Sequence, residues 1–368
     1  MYERMTCRLC GGRVWTLYKL TPTPLANLFP SEPYSGVFYP LELKQCGVCE
    51  HVQIGHVIDD KTLYGGEYKY ETPRTIQVIA RAEQLRTKYP AAENVLEIGA
   101  NNGVLLDAMR YAGFKQCLGI DPSSAHKDVW KIPFGKDAAE AVLRCSGPQD
   151  LIVANNVFAH IDDLPSVFEA IDAVLSRDGA LVFEVQYLPS LIHSGAFDMI
   201  YHEHRDYHHI APLVPFLKRY GLVLSDWEIF DAHGGSLRVT ATRKGIQKAL
   251  PEERMNWREF HSRIQEARTS VCGQIGNTKI PAFGAPAKAI TLIHHFGLQN
   301  RIPYCVDDTK LKQRRYIAGT GIPVVNRGGM ADRMLLLAWN YEALIRKRFP
   351  SVDFIVPFSI EQAQRMAA

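Results

Sequence analysis

The sequence predicts an α/β protein in three parts: a small β-rich, metal-binding module, a central α/β domain and a second α/β domain behind it. Three observations predict this. Two Cys-x-x-Cys pairs stand at Cys7/Cys10 and Cys46/Cys49. A short apolar run ends in a glycine-containing turn that opens a helix near residue 100. The same strand–turn–helix rhythm returns at residues 279–288. The 368 residues are 46% apolar and 22% charged, an ordinary globular balance that excludes disordered and collagen-like classes. The expected boundaries are 1–72, 73–244 and 245–368.

Residues 1–72 are rich in Pro, Gly, Tyr and Cys and lack helical periodicity. Met1 to Thr6 holds no apolar signal core, so export is not expected and a cytoplasmic location is. A reducing compartment argues against disulfides. Two Cys-x-x-Cys pairs are the usual frame of a tetrahedral zinc site, so Cys7, Cys10, Cys46 and Cys49 are the candidate ligands. Gly11-Gly12 and Gly47 let the chain bend beside the metal. A redox pair or four small buried side chains are the competing readings. Cys117, Cys145, Cys272 and Cys305 lie in apolar stretches and read as inert core.

The second region alternates elements. A helix over Thr75 to Tyr89 leads to a strand over Asn94 to Ile98, a helix over Val104 to Tyr111 and a strand over Cys117 to Asp121. Strands over Asp150 to Ala154 and Ala180 to Val185 flank a helix from Leu164 to Leu175, and Gly234 to Thr242 supplies late strand material. Strands separated by helices imply a parallel sheet with right-handed crossovers. The third region opens with a helix over Trp257 to Ile275. Strands follow at 279–283, 302–307, 321–325, 333–338 and 353–357.

The loop Glu97-Ile98-Gly99-Ala100-Asn101-Asn102-Gly103 ends a buried strand and opens a helix. Ligands of open α/β sheets bind at that end of the strands. Dinucleotide sites prefer Gly-x-Gly-x-x-Gly, whose second Gly makes room for pyrophosphate. Here that position is Asn101. A polar loop without a phosphate nest suits S-adenosylmethionine, with Asp121, before Pro122, accepting from two ribose hydroxyls. Asn155 and Asn156, at the end of another strand, complete the candidate cofactor site. A turn cap is the plainer reading of Asp121 and Asn155.

The densest polar cluster is Tyr201-His202-Glu203-His204-Arg205-Asp206-Tyr207-His208-His209. It lacks the helical His-Glu-x-x-His spacing of zinc peptidases. Histidine titrates near working pH, so a proton-transfer site is the main reading. A second metal site and a solvated loop are the alternatives. His160 sits just beyond a strand on the same sheet edge as the loop at Gly99. The pairs His208-His209 and His294-His295 read as structural. A net charge of +3, from 42 Lys and Arg against 39 Asp and Glu, argues against a nucleic-acid partner. No apolar run reaches the ~18 residues of a membrane span, so no membrane partner is expected.

These motifs, in this order, resemble the three-domain deoxysugar C-methyltransferases, which act on nucleotide-linked keto-sugars. The resemblance covers nearly the whole chain. It rests on the four cysteines and on the tyrosine-rich stretch Leu63 to Tyr70. The loop Glu97 to Gly103, the segment Asn156 to His160 and Tyr201-His202-Glu203-His204 add to it. So do Gly234 to Arg238, Gly284-Ala285-Pro286-Ala287-Lys288-Ala289 and Asp307 to Gln313. The resemblance implies a Rossmann-like methyltransferase domain between the zinc module and the last α/β domain, with S-adenosylmethionine as methyl donor and structural Zn2+. It implies a nucleotide-sugar substrate and chemistry through an enolate. His204 is then the candidate base, with Glu203 orienting an imidazole or holding a sugar hydroxyl. Tyr201 and His160 would donate to the enolate oxygen, and Tyr70 would close over the sugar. Tyr64, Tyr68, His202, Lys288, Lys312 and Arg314 are the candidate substrate contacts, the cations for phosphates. A methyltransferase acting on oxygen or nitrogen, a nicotinamide oxidoreductase and a non-catalytic zinc-ribbon module are the rivals. The sequence does not choose between monomer and dimer.

Overall fold

The computed structural model describes residues 1–65, 71–232 and 234–358. Tyr68 and Tyr70 lie outside the described residues. The architecture is mixed α/β, with the elements gathered around three larger sheets.

The first sheet is antiparallel and holds Val14–Thr23, Tyr39–Cys46 and Val52–Ile54. Its edge is closed by a strand from much later in the chain, Asp206–Tyr207, which pairs Asp206 with Gln53 and Tyr207 with Val52. Sequence reading assigned no strand to that segment. Two residues are too short to show strand alternation, so only the pairing reveals it.

The second sheet has seven strands in the order Val223–Phe230, Ser236–Thr242, Leu175–Gln186, Gln149–Asn155, Asn94–Ile98, Gln116–Ile120, Val129–Trp130. The five strands from Leu175–Gln186 to Val129–Trp130 are parallel. Ser236–Thr242 runs antiparallel to both of its neighbours. That reversed strand, inserted beside Leu175–Gln186, separates the sheet from the dinucleotide-binding order, in which all six strands are parallel. The expected helices appear as Ile76–Lys88, Val104–Tyr111 and Leu164–Val174. Each packs an apolar face on the sheet. Leu105, Leu106 and Met109 of the second, for example, are buried with Val95, Leu151 and Val153.

The third sheet has five parallel strands in the order Val324–Val325, Cys305–Val306, Ala282–Phe283, Arg333–Leu336, Asp353–Ile355. Numbered within the domain this is 3-2-1-4-5, so its switch point lies between Ala282–Phe283 and Arg333–Leu336. Its long leading helix is Trp257–Ile275.

One hydrophobic core joins the first and third sheets. Leu41, Leu43, Val52 and Ile54 are buried in the same cluster as Phe197, Ile200, Tyr201, Ile290 and Trp339. The segment leading to Tyr201 therefore runs between two domains. Trp339 donates from Nε1 to Asp198 at 2.7 Å, and Thr291 Oγ1 donates to the Ile200 carbonyl at 2.7 Å. Cys305 is buried, and Cys117 and Cys272 are half-buried. Cys145, expected in the core, is exposed on the helix Lys136–Ser146. Among the described residues no helix is long and apolar enough to cross a membrane.

Candidate active site

The cofactor loop is built by backbone strain that glycine relieves. Gly99 has φ +72°, and a Cβ there would stand 2.3 Å from Val157 Cγ2. Gly103 has φ +73°, and a Cβ there would stand 2.7 Å from the His126 ring. Only glycine tolerates both the conformation and the approach. Ala100 is buried beneath the loop. Asn101, at φ +47°, takes a left-handed conformation that Asn accepts more readily than most residues. Its amide N–H donates to Asp121 Oδ2 at 2.9 Å. The other Asp121 oxygen accepts from Ser123 N at 2.7 Å and Ser123 Oγ at 2.6 Å. Asp121 thus braces the loop from the next strand end, and Pro122 follows it in the turn. Asn102 Nδ2 donates to the Thr72 carbonyl, and Thr72 N donates to Asn101 Oδ1. The two asparagines tie the loop to the segment that enters the domain.

Three buried acceptors around this strand edge lack a protein partner: Glu97 Oε2, Asn102 Oδ1 and Asn155 Oδ1. Burial, reinforced by the neighbouring Asp121, pushes the Glu97 carboxyl well above its ordinary range. Unpaired buried acceptors are costly unless a donor arrives. A ligand bearing an ammonium and ribose hydroxyls supplies such donors, so the residues fit S-adenosylmethionine. Asn156, at φ +54°, donates its N–H to the Glu184 carbonyl and starts the turn to His160.

That turn carries Val157 against Gly99 and ends in the short helix Phe158–His160. His160 meets the second half of the site. Its ring centroid lies 5.1 Å from that of His204, edge to face. Tyr64 Oη is 3.5 Å from His160 Nδ1. Burial, then the nearby Arg205, lowers His160 to about 4, so it is neutral at working pH. Burial and Glu203 raise the Tyr64 hydroxyl, so it stays protonated.

The turn Tyr201 to His204 is closed by His204 N donating to the Tyr201 carbonyl at 3.0 Å. His204 Nδ1 is 3.0 Å from the Met199 carbonyl, and Nε2 is 2.7 Å from Tyr201 Oη. A carbonyl only accepts, so Nδ1 carries the proton. Nε2 is then the basic nitrogen, and the Tyr201 hydroxyl donates to it. Burial raises that hydroxyl well above its usual pKa, with Glu203 adding to the effect.

Glu203 is buried and meets Asn27, a residue of the first module that the sequence did not mark. Asn27 Nδ2 donates to both carboxylate oxygens, at 2.9 and 2.8 Å. Burial raises the Glu203 carboxyl to about 7, against the lowering effect of Asn27. His202, between Tyr201 and Glu203, faces the other way. It is 1% exposed, its Nε2 lies 3.1 Å from the Pro40 carbonyl, and its ring meets Tyr39. Burial lowers it to about 4. Both contacts come from the first module, and Nδ1 of this expected substrate contact is buried without a protein partner. His209 pairs with Glu253, and His208 and His294 are buried.

The three expected phosphate contacts separate. Lys288 is buried, with Nζ 3.2 Å from the Trp339 ring centroid and 3.7 Å from Asp198 Oδ2. Burial lowers it to about 7. Lys312 is buried and donates to the Ala285 carbonyl at 2.9 Å. Lysine is seldom buried without a partner, so sequence alone favours exposure. Of the three, Arg314 is the exposed one.

The cysteines converge. Their four sulfurs all lie within 4.8 Å of one another. Backbone N–H groups point at them, Leu9 N at Cys7 Sγ, Gly12 N at Cys10 Sγ and Val48 N at Cys46 Sγ, each at 3.3–3.4 Å. Four clustered thiols with amide donors fit Zn2+ in a closed tetrahedral site, which leaves no open position for substrate.

Residues 7–64 match the model of a zinc binding domain, 68–225 that of a methyltransferase domain and 231–353 that of a C-methyltransferase C-terminal domain. The chain is 31% identical, over 378 aligned positions, to the C-methyltransferase NovU of Streptomyces niveus, covering 91% of this chain and 90% of that one. Among solved structures, an O-methyltransferase family protein from Burkholderia thailandensis matches at 15% identity and TM-score 0.35, over 46% of this chain and 56% of its own. The CcbJ methyltransferase from Streptomyces caelestis matches at 14% identity and TM-score 0.36, over 48% of this chain and 93% of its own.

Proposed function

The chain belongs to the C-methyltransferase family and is an S-adenosylmethionine-dependent methyltransferase with a zinc-binding module; from that premise we propose that its acceptor is a nucleotide-linked keto-deoxysugar. One observation carries the reading. The His204 and His160 rings lie edge to face with centroids 5.1 Å apart, and the turn that carries His160 brings Val157 against Gly99 of the cofactor loop.

Carbon becomes a nucleophile when an adjacent carbonyl acidifies its C–H bond, and a keto-sugar offers that carbonyl. When bound, S-adenosylmethionine supplies an electrophilic methyl on a sulfonium sulfur. His204 takes the proton from the carbon beside the carbonyl at Nε2, whose lone pair is freed as the Tyr201 hydroxyl turns from it to the enolate oxygen. The Met199 carbonyl holds Nδ1–H and stabilises the imidazolium that forms. Tyr201 and neutral His160 are donors for the enolate oxygen, where preorganised dipoles act most strongly. Glu203, fixed by Asn27, holds a sugar hydroxyl. The C–H electron pair becomes the enolate, whose carbon forms the new C–C bond as the S–C bond breaks. Zinc takes no chemical part.

Arg314 is the exposed cation for the substrate's phosphates. Mass spectrometry of the enzyme with S-adenosylmethionine and a panel of nucleotide keto-sugars tests the reading. The expected product is heavier by one methylene and carries the methyl on carbon by NMR. A methyl found on oxygen or nitrogen refutes it.

A further inference from the structure

The zinc module does more than cap the chain. Arg8 lies between the ligands Cys7 and Cys10, and His51 lies two residues past Cys49. One side chain from each cysteine pair reaches the same carboxylate. The Arg8 guanidinium donates to Asp206 Oδ2, and His51 Nε2 is 2.8 Å from Asp206 Oδ1. All three residues are buried. Asp206 stands two residues past His204, on the strand that pairs with Val52–Ile54.

Arg8 also grips the other half of the site. Its Nη2 donates to the Ile161 carbonyl and, at 2.9 Å, to the Asp162 carbonyl, directly after His160. Its own backbone N–H is fixed by Gln53 Oε1 at 2.9 Å. Arg205 adds a parallel tie. Its N–H donates to the Ala159 carbonyl at 2.7 Å, and its Nη1 to the His160 carbonyl at 2.8 Å. The chains that carry His160 and His204 are therefore both moored to one buried arginine inside the first metal-binding turn.

We propose that the four-cysteine module is a positioning element of the active site, in which zinc-fixed turns hold Arg8 and His51 and these set the separation of His160 from His204. A buried guanidinium–carboxylate pair has few alternative geometries, because its groups cannot turn to water. Its anchor point must be rigid for the pair to transmit position. Four metal–thiolate bonds provide that rigidity, and thiols without metal do not. Arg8, His51 and Asp206 are positioning residues and touch no substrate. The inference rests on the reading of His204 and His160 as the reacting pair.

The test uses the full-length zinc-loaded enzyme labelled with 15N-histidine. Two-bond 1H–15N spectra report the tautomer and surroundings of each ring, with the His204 and His160 signals assigned by H204Q and H160Q. Arg8→Met and Asp206→Asn are the variants, and zinc content is measured by mass spectrometry. The expected result is that both variants keep one zinc per chain and bind S-adenosylmethionine as wild type does. Their His204 and His160 signals move in the same direction as they do on zinc removal. With the keto-sugar that wild type methylates, kcat falls at least tenfold while KM holds, and Arg8→Lys restores part of it.

Loss of zinc from Asp206→Asn, in a protein with native circular dichroism, is the same coupling read in reverse and also supports the proposal. Ring signals unchanged in a zinc-loaded Arg8→Met variant overturn it, as do signals indifferent to zinc removal. Full turnover in H204A with the ring shifts still present refutes the assigned base and leaves the mooring intact, so the two failures are distinguishable.

Discussion

Replacing Glu203 by Gln separates what the active site needs from what the fold prefers. The carboxyl is 6% exposed, and burial raises it from an ordinary 4.5 to about 7. The folded chain therefore binds this proton more tightly than the unfolded chain. The stabilising contribution is complete below pH 4.5, falls as the pH rises toward 7 and is gone above it. At about 1.4 kcal/mol per pKa unit, the gap amounts to about 3 kcal/mol. Gln carries no such proton. Its amide oxygen still accepts from Asn27, and any change in that contact is independent of pH. The stability of E203Q relative to wild type is expected to improve by about 3 kcal/mol between pH 4.5 and pH 8. Urea unfolding of both proteins at the two pH values measures the difference. On the proposed mechanism turnover moves the opposite way, and is expected to fall as the acceptor substrate loses a charged partner. Parallel pH dependence in the two proteins refutes the argument, because Glu203 would then titrate alike in the folded and unfolded chains.

Other perturbations act on single links. H204A is expected to lose ~100- to 10,000-fold in turnover, the usual range for a general base, with S-adenosylmethionine affinity nearly unchanged by calorimetry. Asn27→Ala removes the donor that lowers Glu203, so the Glu203 resonance in 13C NMR is expected to titrate above 7; an unmoved midpoint contradicts the contact. Gly99→Ala puts a Cβ 2.3 Å from Val157 Cγ2 at φ +72°. A left-handed alanine costs about 1–2 kcal/mol, so cofactor affinity is expected to fall roughly tenfold or more in a titration. Unchanged affinity shows that the loop relaxes freely.

What was legible in the sequence was local. The cysteine spacing announced the metal site, and strand, glycine and helix within ten residues announced the cofactor loop. The helix Trp257–Ile275 was readable from its own periodicity. What was hidden depended on distance along the chain. Asn27 meets Glu203 across 176 positions and Arg8 meets Asp206 across 198; Asn27 stands in no motif, and Arg8 fills a position that the Cys-x-x-Cys pattern leaves open. The histidine cluster shows a second limit. His202 and His204 are alike in sequence, yet a tight turn sends one ring to the Pro40 carbonyl and the other to Tyr201. Lys288 shows a third. Its charge suggested a phosphate contact, whereas the fold buries it against Trp339 and Asp198 from two other segments.

Solvent deuterium exchange tests the central claim most directly. The keto-sugar is incubated in D2O with enzyme and S-adenosylhomocysteine, so that no methyl can be transferred. Wild type is expected to wash deuterium into the carbon beside the carbonyl, and H204A is expected to do so at least 100-fold more slowly. Equal exchange by both proteins contradicts proton removal by His204.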